Sequence, residues 1–150
     1  MNQTKIINKK ARFDFEILDT YEGGMNLSGA EVKSLRGGRM SLAGSYVKII
    51  GSEIYLVNAH IYPYPYARPE GYDPKRTRKL LLHKKEIFSI KTKLVSKHLT
   101  LVPLECYNLH GFFKLKIGLG QGKKEFEKRE KIKKRDTERE ISRIIRGKIR

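Results

Sequence analysis

The side chains best suited to catalysis or metal binding in this sequence are four histidines, one cysteine and a group of acids within residues 14–22. The histidines lack the H-E-x-x-H spacing that places two zinc ligands on one helix face. Cys106 has no partner cysteine, and the alternating run around it favours a buried structural thiol. The acids could bind a metal, or they could be solvent-facing strand positions. We therefore expect no catalytic residue, no metal and no cofactor, and keep a nuclease as an alternative.

Positive charge is the dominant signal. The chain has 33 lysines and arginines against 16 acids, which gives a net charge of +17 and a pI of about 10.0. Such a field attracts polyanions, and nucleic acid is the favoured partner. A membrane surface would require an amphipathic helix with bulky apolar residues, and no apolar run is long enough to span a bilayer. We therefore expect an RNA-binding protein without a membrane partner.

Three clusters of basic residues are suited to phosphate contacts along a shaped RNA surface. They are residues 8–12 (NKKAR), the cations Lys33, Arg36 and Arg39, and the group Lys75, Arg76, Arg78 and Lys79. The last group follows a proline-rich loop, whose tyrosines could stack on bases or anchor the loop: Tyr62, Tyr64, Tyr66 and Tyr72. The same charge would also fit a basic structural protein of the ribosomal type, and this alternative stays open.

The elements that must position these residues are mostly strands. Alternating or β-branched runs predict strands at 11–21, 46–50, 53–59, 79–83, 99–109 and 112–119, with a turn at 22–24. Ser28 and Glu31 have the spacing of a capping box, which predicts a short helix ending at Gly37, and residues 84–97 have helical periodicity. Gly51-Ser52 suits a two-residue hairpin turn. About six short strands with flanking helices favour a small antiparallel barrel.

The composition changes near residue 120, and we predict two units, 1–120 and 121–150. Gly118-Leu-Gly-Gln-Gly122 is interpreted as a flexible joint. Residues 121–150 carry 13 basic and 6 acidic residues, a net charge of +7, with few large apolar side chains. Acid-to-base pairs such as Glu125–Arg129 favour a helix by roughly 0.2–0.5 kcal/mol each. The tail is thus a potential helix that lacks a surface to fold against.

Cellular context follows from composition. A single cysteine cannot form an internal disulfide, and the first residues lack the apolar stretch of a signal peptide. We expect a monomer in the cytoplasm.

Five sequence blocks together resemble a known bacterial family. They are residues 8–12 (NKKAR), 29–36 (GAEVKSLR), 73–83 (DPKRTRKLLLH), 99–104 (LTLVPL), and Gly122-Lys-Lys followed by Lys128-Arg129 and Ile132-Lys133. In this order, over about residues 6–145, they resemble the signature blocks of the small protein B family, the SsrA-binding or tmRNA-binding proteins. The block from Asp73 is the most specific.

The resemblance implies a fold and a role. The fold is an OB-like, six-stranded antiparallel barrel with helices outside it. The role is to bind the tRNA-like domain of tmRNA and escort it into a ribosome stalled on an mRNA without a usable stop codon. The resemblance further implies that the tail is disordered in the free protein and becomes helical in the empty mRNA channel, against small-subunit ribosomal RNA.

The resemblance also implies site residues. Asn8, Glu22 and Leu81 match positions on the tmRNA-binding face, to which we add the cations Lys9, Lys10, Arg12, Arg36, Lys75, Arg76, Arg78 and Lys79. The expected ribosome-binding positions of the tail are Lys123, Lys124, Phe126, Glu127, Lys128, Arg129, Lys133, Lys134, Arg135, Ile144 and Ile145. The family usually has Asp-Lys-Arg where this chain has Glu127-Lys128-Arg129.

Overall fold

The computed structural model describes residues 4–66, 70–123 and 125–148, and within the last helix it describes the side chains of Arg129 and residues 132–143. The strands are β1 (Lys5–Ile7), β2 (Phe15–Met25), β3 (Met40–Ser41), β4 (Tyr46–Ile50), β5 (Glu53–Val57), β6 (His60–Ile61), β7 (Arg78–Leu81), β8 (Thr100–Leu109) and β9 (Phe112–Gly122). The helices are α1 (Lys9–Asp14), α2 (Gly29–Arg36), α3 (Lys84–Lys97) and α4 (Glu125–Lys148).

Seven strands form one antiparallel sheet in the order β1-β8-β9-β2-β7-β5-β4, and β3 pairs with β6 separately. The prediction of a mainly β fold with helices is confirmed, although the main sheet has seven strands where six were expected. Within the described residues the sheet is not closed, because β1 and β4 form its two edges. The sheet nevertheless curls enough to bring β4 against β8.

The core is formed by alternate positions of the central strands. Ile54, Leu80, Leu115 and Ile117 are fully buried on one side of the sheet, and α3 adds Ile90. Each such side chain contributes about 1.5–3 kcal/mol relative to an exposed one. The face that these residues leave outside is therefore fixed by the same alternation that builds the core.

Three local predictions are confirmed. The Ser28 side chain accepts a hydrogen bond from the Glu31 N–H, and the Glu31 carboxylate accepts one from the Ser28 N–H, which completes the capping box of α2. The hairpin between β4 and β5 turns at Gly51, whose φ of 65° suits glycine. Helix α3 has the predicted bounds, and Lys93 attaches it to β2 through Asp19 (2.6 Å).

The prediction for residues 11–24 is wrong at both ends. Residues 9–14 form α1 instead of a strand, and β2 continues through the predicted turn to Met25. Phe13 and Phe15 have the spacing of alternate strand positions, but Phe13 lies in α1 and Phe15 is the first residue of β2. Gly23 is part of β2, where it pairs with Leu115, and a β-carbon there would overlap the Leu82 side chain.

The predicted flexible joint is also wrong, because residues 118–122 are the end of β9. Gly118 and Gly120 pair with Thr20 and Ile17 of β2. A β-carbon on either glycine would lie 3.2 Å from Ile17. These glycines therefore permit close packing in a regular strand, and the step from the sheet to α4 lies between Gly122 and Glu125.

Cys106 is a buried structural thiol, as predicted. Burial raises the pKa of this thiol to about 12. Because the thiolate is the reactive form, we expect iodoacetamide to leave the native protein unlabelled at neutral pH and to label it readily in denaturant. Mass spectrometry measures both rates, and rapid labelling of the native protein would contradict the buried position.

No helix in the described parts of the chain combines the length and the apolar content needed to cross a membrane.

Candidate nucleic-acid interface

One row of the sheet's outer face crosses five strands. Strand register places side by side Lys5 (β1), Tyr107 (β8), Lys114 (β9), Gly24 (β2) and Leu81 (β7). The next row contains Glu105, Lys116 and Glu22. We call these two rows the outer face. It combines cations, an aromatic ring and an exposed leucine on a rigid sheet, a composition suited to RNA.

Leu81 is the apolar centre of the outer face. Its side chain is 54% exposed, whereas Leu80 beside it is buried in the core. The alternation of side chains along β7 therefore turns Leu81 outward. A leucine held outward among cations is available for apolar contact with a partner.

The acids of the outer face have fixed positions. Glu22 accepts a hydrogen bond from the Tyr107 hydroxyl. Glu105 lies between two lysines, 3.4 Å from Lys5 and 3.6 Å from Lys116. Glu22 is exposed, so its carboxylate is oriented yet available to a hydrogen-bond donor on a ligand.

The cluster at residues 8–12 lies beside β8. The Asn8 N–H donates to the Leu104 carbonyl (2.8 Å), and its side-chain amide donates to Pro103 (2.9 Å). Lys9, Lys10 and Arg12 are exposed on α1. Lys123 contacts the same helix, because its Nζ donates to the Arg12 carbonyl (3.0 Å). The fold thus joins the start of the tail to this basic cluster, which lies far away in sequence.

Arg78 corrects the predicted list, because its side chain is completely buried and cannot contact RNA in this fold. Its Nε donates to Glu31 (2.5 Å), and its other nitrogens donate to the carbonyls of Ala59 (2.9 Å), Arg76 (2.9 Å) and Pro74 (3.0 Å). Arg78 therefore holds the loop before β7 against α2. Its neighbours Lys75 and Arg76 stay exposed, so the cluster keeps cations for an RNA.

Glu31, predicted from the sequence only as part of a helix cap, is the buried partner of Arg78. The Glu31 carboxylate accepts hydrogen bonds from Arg78, from Arg76 (2.5 Å) and from the Ser28 N–H. Burial alone would raise the pKa of Glu31, but these hydrogen bonds outweigh burial and hold the pKa below its ordinary value of 4.5. Glu31 is therefore ionised at neutral pH and pairs with both arginines.

Comparison with known proteins decides the family. A family model described as "SmpB protein" matches residues 5–147. The chain belongs to the SmpB protein family. It is 49% identical over 143 residues to the SsrA-binding protein of Sulfurihydrogenibium sp. (strain YO3AOP1), and the match covers 95% of this chain and 94% of the relative. It is 47% identical over 139 residues to the SsrA-binding protein of Latilactobacillus sakei, covering 93% and 89%.

The fold of this chain also matches that of a solved structure. The structure described as "tmRNA-SmpB: a journey to the center of the bacterial ribosome" matches with a TM-score of 0.67 and 46% identity. The match covers 81% of this chain and 86% of that chain. The resemblance to the small protein B family is thereby confirmed.

In this SmpB family member the remaining residues predicted to bind RNA, apart from those of the tail, lie at separate places on the fold. Lys79 lies on β7, where it is 3.4 Å from Glu53, and Arg36 is exposed at the end of α2. Tyr72 anchors the proline-rich loop, because its hydroxyl donates to the Ile61 carbonyl (2.7 Å). Tyr66 is exposed and stays available for stacking.

The tail of this SmpB family member is the helix α4. Arg129, Lys133, Lys134 and Arg135 are exposed, and none of the described side chains of α4 is buried. Lys124 and the side chains of the remaining predicted tail residues lie outside the described part of the chain: Phe126, Glu127, Lys128, Ile144 and Ile145. That the tail is disordered when free stays a prediction.

Sequence reasoning missed the outer-face residues Tyr107, Lys114 and Lys116. The alternation of lysines in β9 indicated an exposed side of that strand, but only the pairing of β9 with β2 and β8 places them beside Leu81 and Glu22. Among the described residues, no group of three or more histidines, cysteines or acids could hold a metal ion.

Proposed function

We propose that this protein binds the tRNA-like domain of tmRNA and delivers it to stalled ribosomes, enabling rescue and tagging of the incomplete peptide. The observation that carries the proposal is the outer face, where Gly24 lies between the exposed Leu81 and the Lys114 side chain, in a chain whose relatives are SsrA-binding proteins. Phosphates meet the cations, and base or ribose edges meet Glu22 and Leu81.

The sheet acts in this proposal as an OB-like barrel. Its curl, which brings β4 against β8, supports that description. The barrel occupies the position of an anticodon arm beneath the tRNA-like domain. This position requires a rigid surface rather than an enclosed pocket, and the outer face provides one.

The tail is the second RNA-binding surface in this proposal. Residues 125–148 are disordered in the free protein and become helical in the vacant mRNA channel, where phosphates of small-subunit ribosomal RNA replace a protein core. The exposure of every described side chain of α4 supports a partner outside the chain.

The protein works in this proposal as a cytoplasmic adaptor rather than an enzyme. Two of the four acids at residues 14–22 have other tasks, since Asp19 pairs with Lys93 and Glu22 with Tyr107. Incubation of the purified protein with RNA and a divalent metal tests this directly, and a cleavage product would contradict it.

Replacing Leu81 by aspartate should weaken binding of the tRNA-like domain by at least about 30-fold, the loss expected at an interface hot spot. The new carboxylate removes an apolar contact and repels phosphates. A filter-binding titration at fixed salt concentration measures the change. The thermal midpoint should stay close to the wild-type value, because Leu81 is exposed.

Leu18→Asp is the matched control. Leu18 is 52% exposed, nearly the same as Leu81, and it lies on β2 at a bulge away from the outer face. We expect its RNA affinity to stay within a few-fold of wild type. Equal weakening by the two variants would show a general charge effect and contradict the assignment of the outer face.

A further inference from the structure

A cleft of about 300 Å³ opens at one end of the outer face. It lies between the end of β2, the segment leading into α2 and the β8–β9 hairpin, and its lining includes Leu81, Phe112, Leu27, Val32, Gly24 and Lys114. None of the described residues that line it is acidic. A concave apolar site bordered by a cation is a binding site for a flat, apolar group attached to an anion.

Phe112 forms an aromatic wall of this cleft. Its side chain is 72% exposed, so it contributes little to the core. It follows the hairpin turn of His110 and Gly111, whose φ values are 51° and 85°. The Gly111 N–H donates to the Asn108 side chain (2.9 Å), which fixes the turn. The ring is therefore held outward by a tight hairpin rather than by a mobile loop.

Gly24 keeps the floor of the cleft open. A β-carbon at this position would lie 3.5 Å from the Leu81 β-carbon and 3.8 Å from the Lys114 Nζ. The glycine therefore leaves a space between an apolar side chain and an ammonium group. A β-carbon would enter that space with little disturbance of the strand, since these are ordinary contact distances.

We propose that this cleft holds one unstacked nucleobase of the bound RNA, an inference that rests on the proposed function. The base stacks on Phe112 and contacts Leu81 with its edge, while Lys114 meets the adjacent phosphate. Proteins that read structured RNA commonly bind bases that have left the stack, and aromatic side chains receive them. The aromatic wall, the neighbouring cation and the absence of lining acids favour a nucleotide over a peptide side chain.

Fluorescence offers a direct test, because the chain contains no tryptophan. Phe112→Trp and Phe88→Trp are a matched pair of reporters, since both phenylalanines are 72% exposed and Phe88 lies on α3 outside the cleft lining. Adding the tRNA-like domain of tmRNA should quench the emission of the Phe112→Trp protein and leave the Phe88→Trp protein nearly unchanged. Equal responses, or a response only when ribosomes are added, would overturn the inference.

Affinity measurements provide the second test. Phe112→Ala should weaken binding of the same RNA roughly 5- to 150-fold, the range for loss of one stacked base. Gly24→Val, which fills the floor, should weaken it as well, whereas Phe88→Ala should not. If wild type binds the RNA specifically and both cleft variants bind it as tightly as wild type does, the cleft inference is wrong and the proposed function still stands. If wild type shows no preference for this RNA, the proposed function itself fails.

Discussion

Replacing Arg78 by methionine is expected to lower the free energy of unfolding by about 3–5 kcal/mol, as found when one partner of a buried ion pair is removed. Glu31 would keep only Arg76 as an ionic partner, and that arginine is partly exposed. The Ala59 carbonyl would also lose its Arg78 donor, and the Pro74 carbonyl would keep only the Ile61 N–H. Urea unfolding, followed by circular dichroism, measures the change.

The neighbouring residue provides the control for this prediction. Lys79→Met removes a cation from the same strand, but Lys79 is 42% exposed and lies 3.4 Å from a similarly exposed Glu53. Surface pairs of this kind contribute about 0–1 kcal/mol. Arg78→Lys should resemble Arg78→Met, because one ammonium cannot replace the planar fork of the guanidinium. Equal stabilities of the Arg78→Met and Lys79→Met proteins would contradict the structural role of Arg78.

The dependence of stability on pH gives a second readout of the same network. The pKa of Glu31 is lower in the folded protein than its ordinary value of 4.5, so the unfolded chain binds its proton more readily. The contribution of Glu31 is therefore complete above about pH 4.5 and is lost as the pH falls through the lowered pKa. Arg78→Met should reduce this acid sensitivity.

Ending the chain after Lys123 should abolish peptide tagging on stalled ribosomes while leaving the affinity for the tRNA-like domain within a few-fold of wild type. The reason is the separation of the two surfaces. The outer face lies on the sheet, and Lys123 is the last residue held by α1, through bonds to Asp14 and Arg12. Affinity should be measured near physiological ionic strength, because phosphate contacts depend strongly on salt.

A tail of the same composition in scrambled order controls for charge. Residues 121–150 carry a net charge of +7, which attracts any RNA without regard to sequence. We expect the scrambled protein to bind the tRNA-like domain as wild type does and to remain inactive in tagging. Loss of affinity for the tRNA-like domain on truncation, or tagging by the truncated chain, would contradict a model with two separate surfaces.

Local patterns predicted the parts of the fold that are determined locally. The capping box at Ser28, the turn at Gly51 and the period of α3 each depend on residues a few positions apart. Helix α1 was missed because six residues are too few to show helical periodicity. The glycines at the end of β9 suggested a joint because their close approach to Ile17 depends on a strand 100 residues away in sequence.

In the candidate site, too, local patterns predicted some features, and others depend on residues far apart in sequence. The family resemblance implied Leu81, and Leu81 is the exposed leucine of β7. The burial of Arg78 could not be read from a basic run, because its partner Glu31 lies 47 residues earlier. Lys114 and Phe112 join Leu81 only through strand register and the hairpin turn. Long-range pairing therefore decides which cations are exposed and which support the fold.

The RNA that the full chain selects tests the central claim most directly. The tagged protein should be captured from cells at physiological ionic strength, with the Leu81→Asp protein in parallel, and the bound RNA sequenced. The account predicts that tmRNA is the most enriched RNA relative to its abundance and that Leu81→Asp loses this enrichment. Recovery of ribosomal RNA in constant proportion, without enrichment of tmRNA, would contradict the account and favour a permanent ribosomal component.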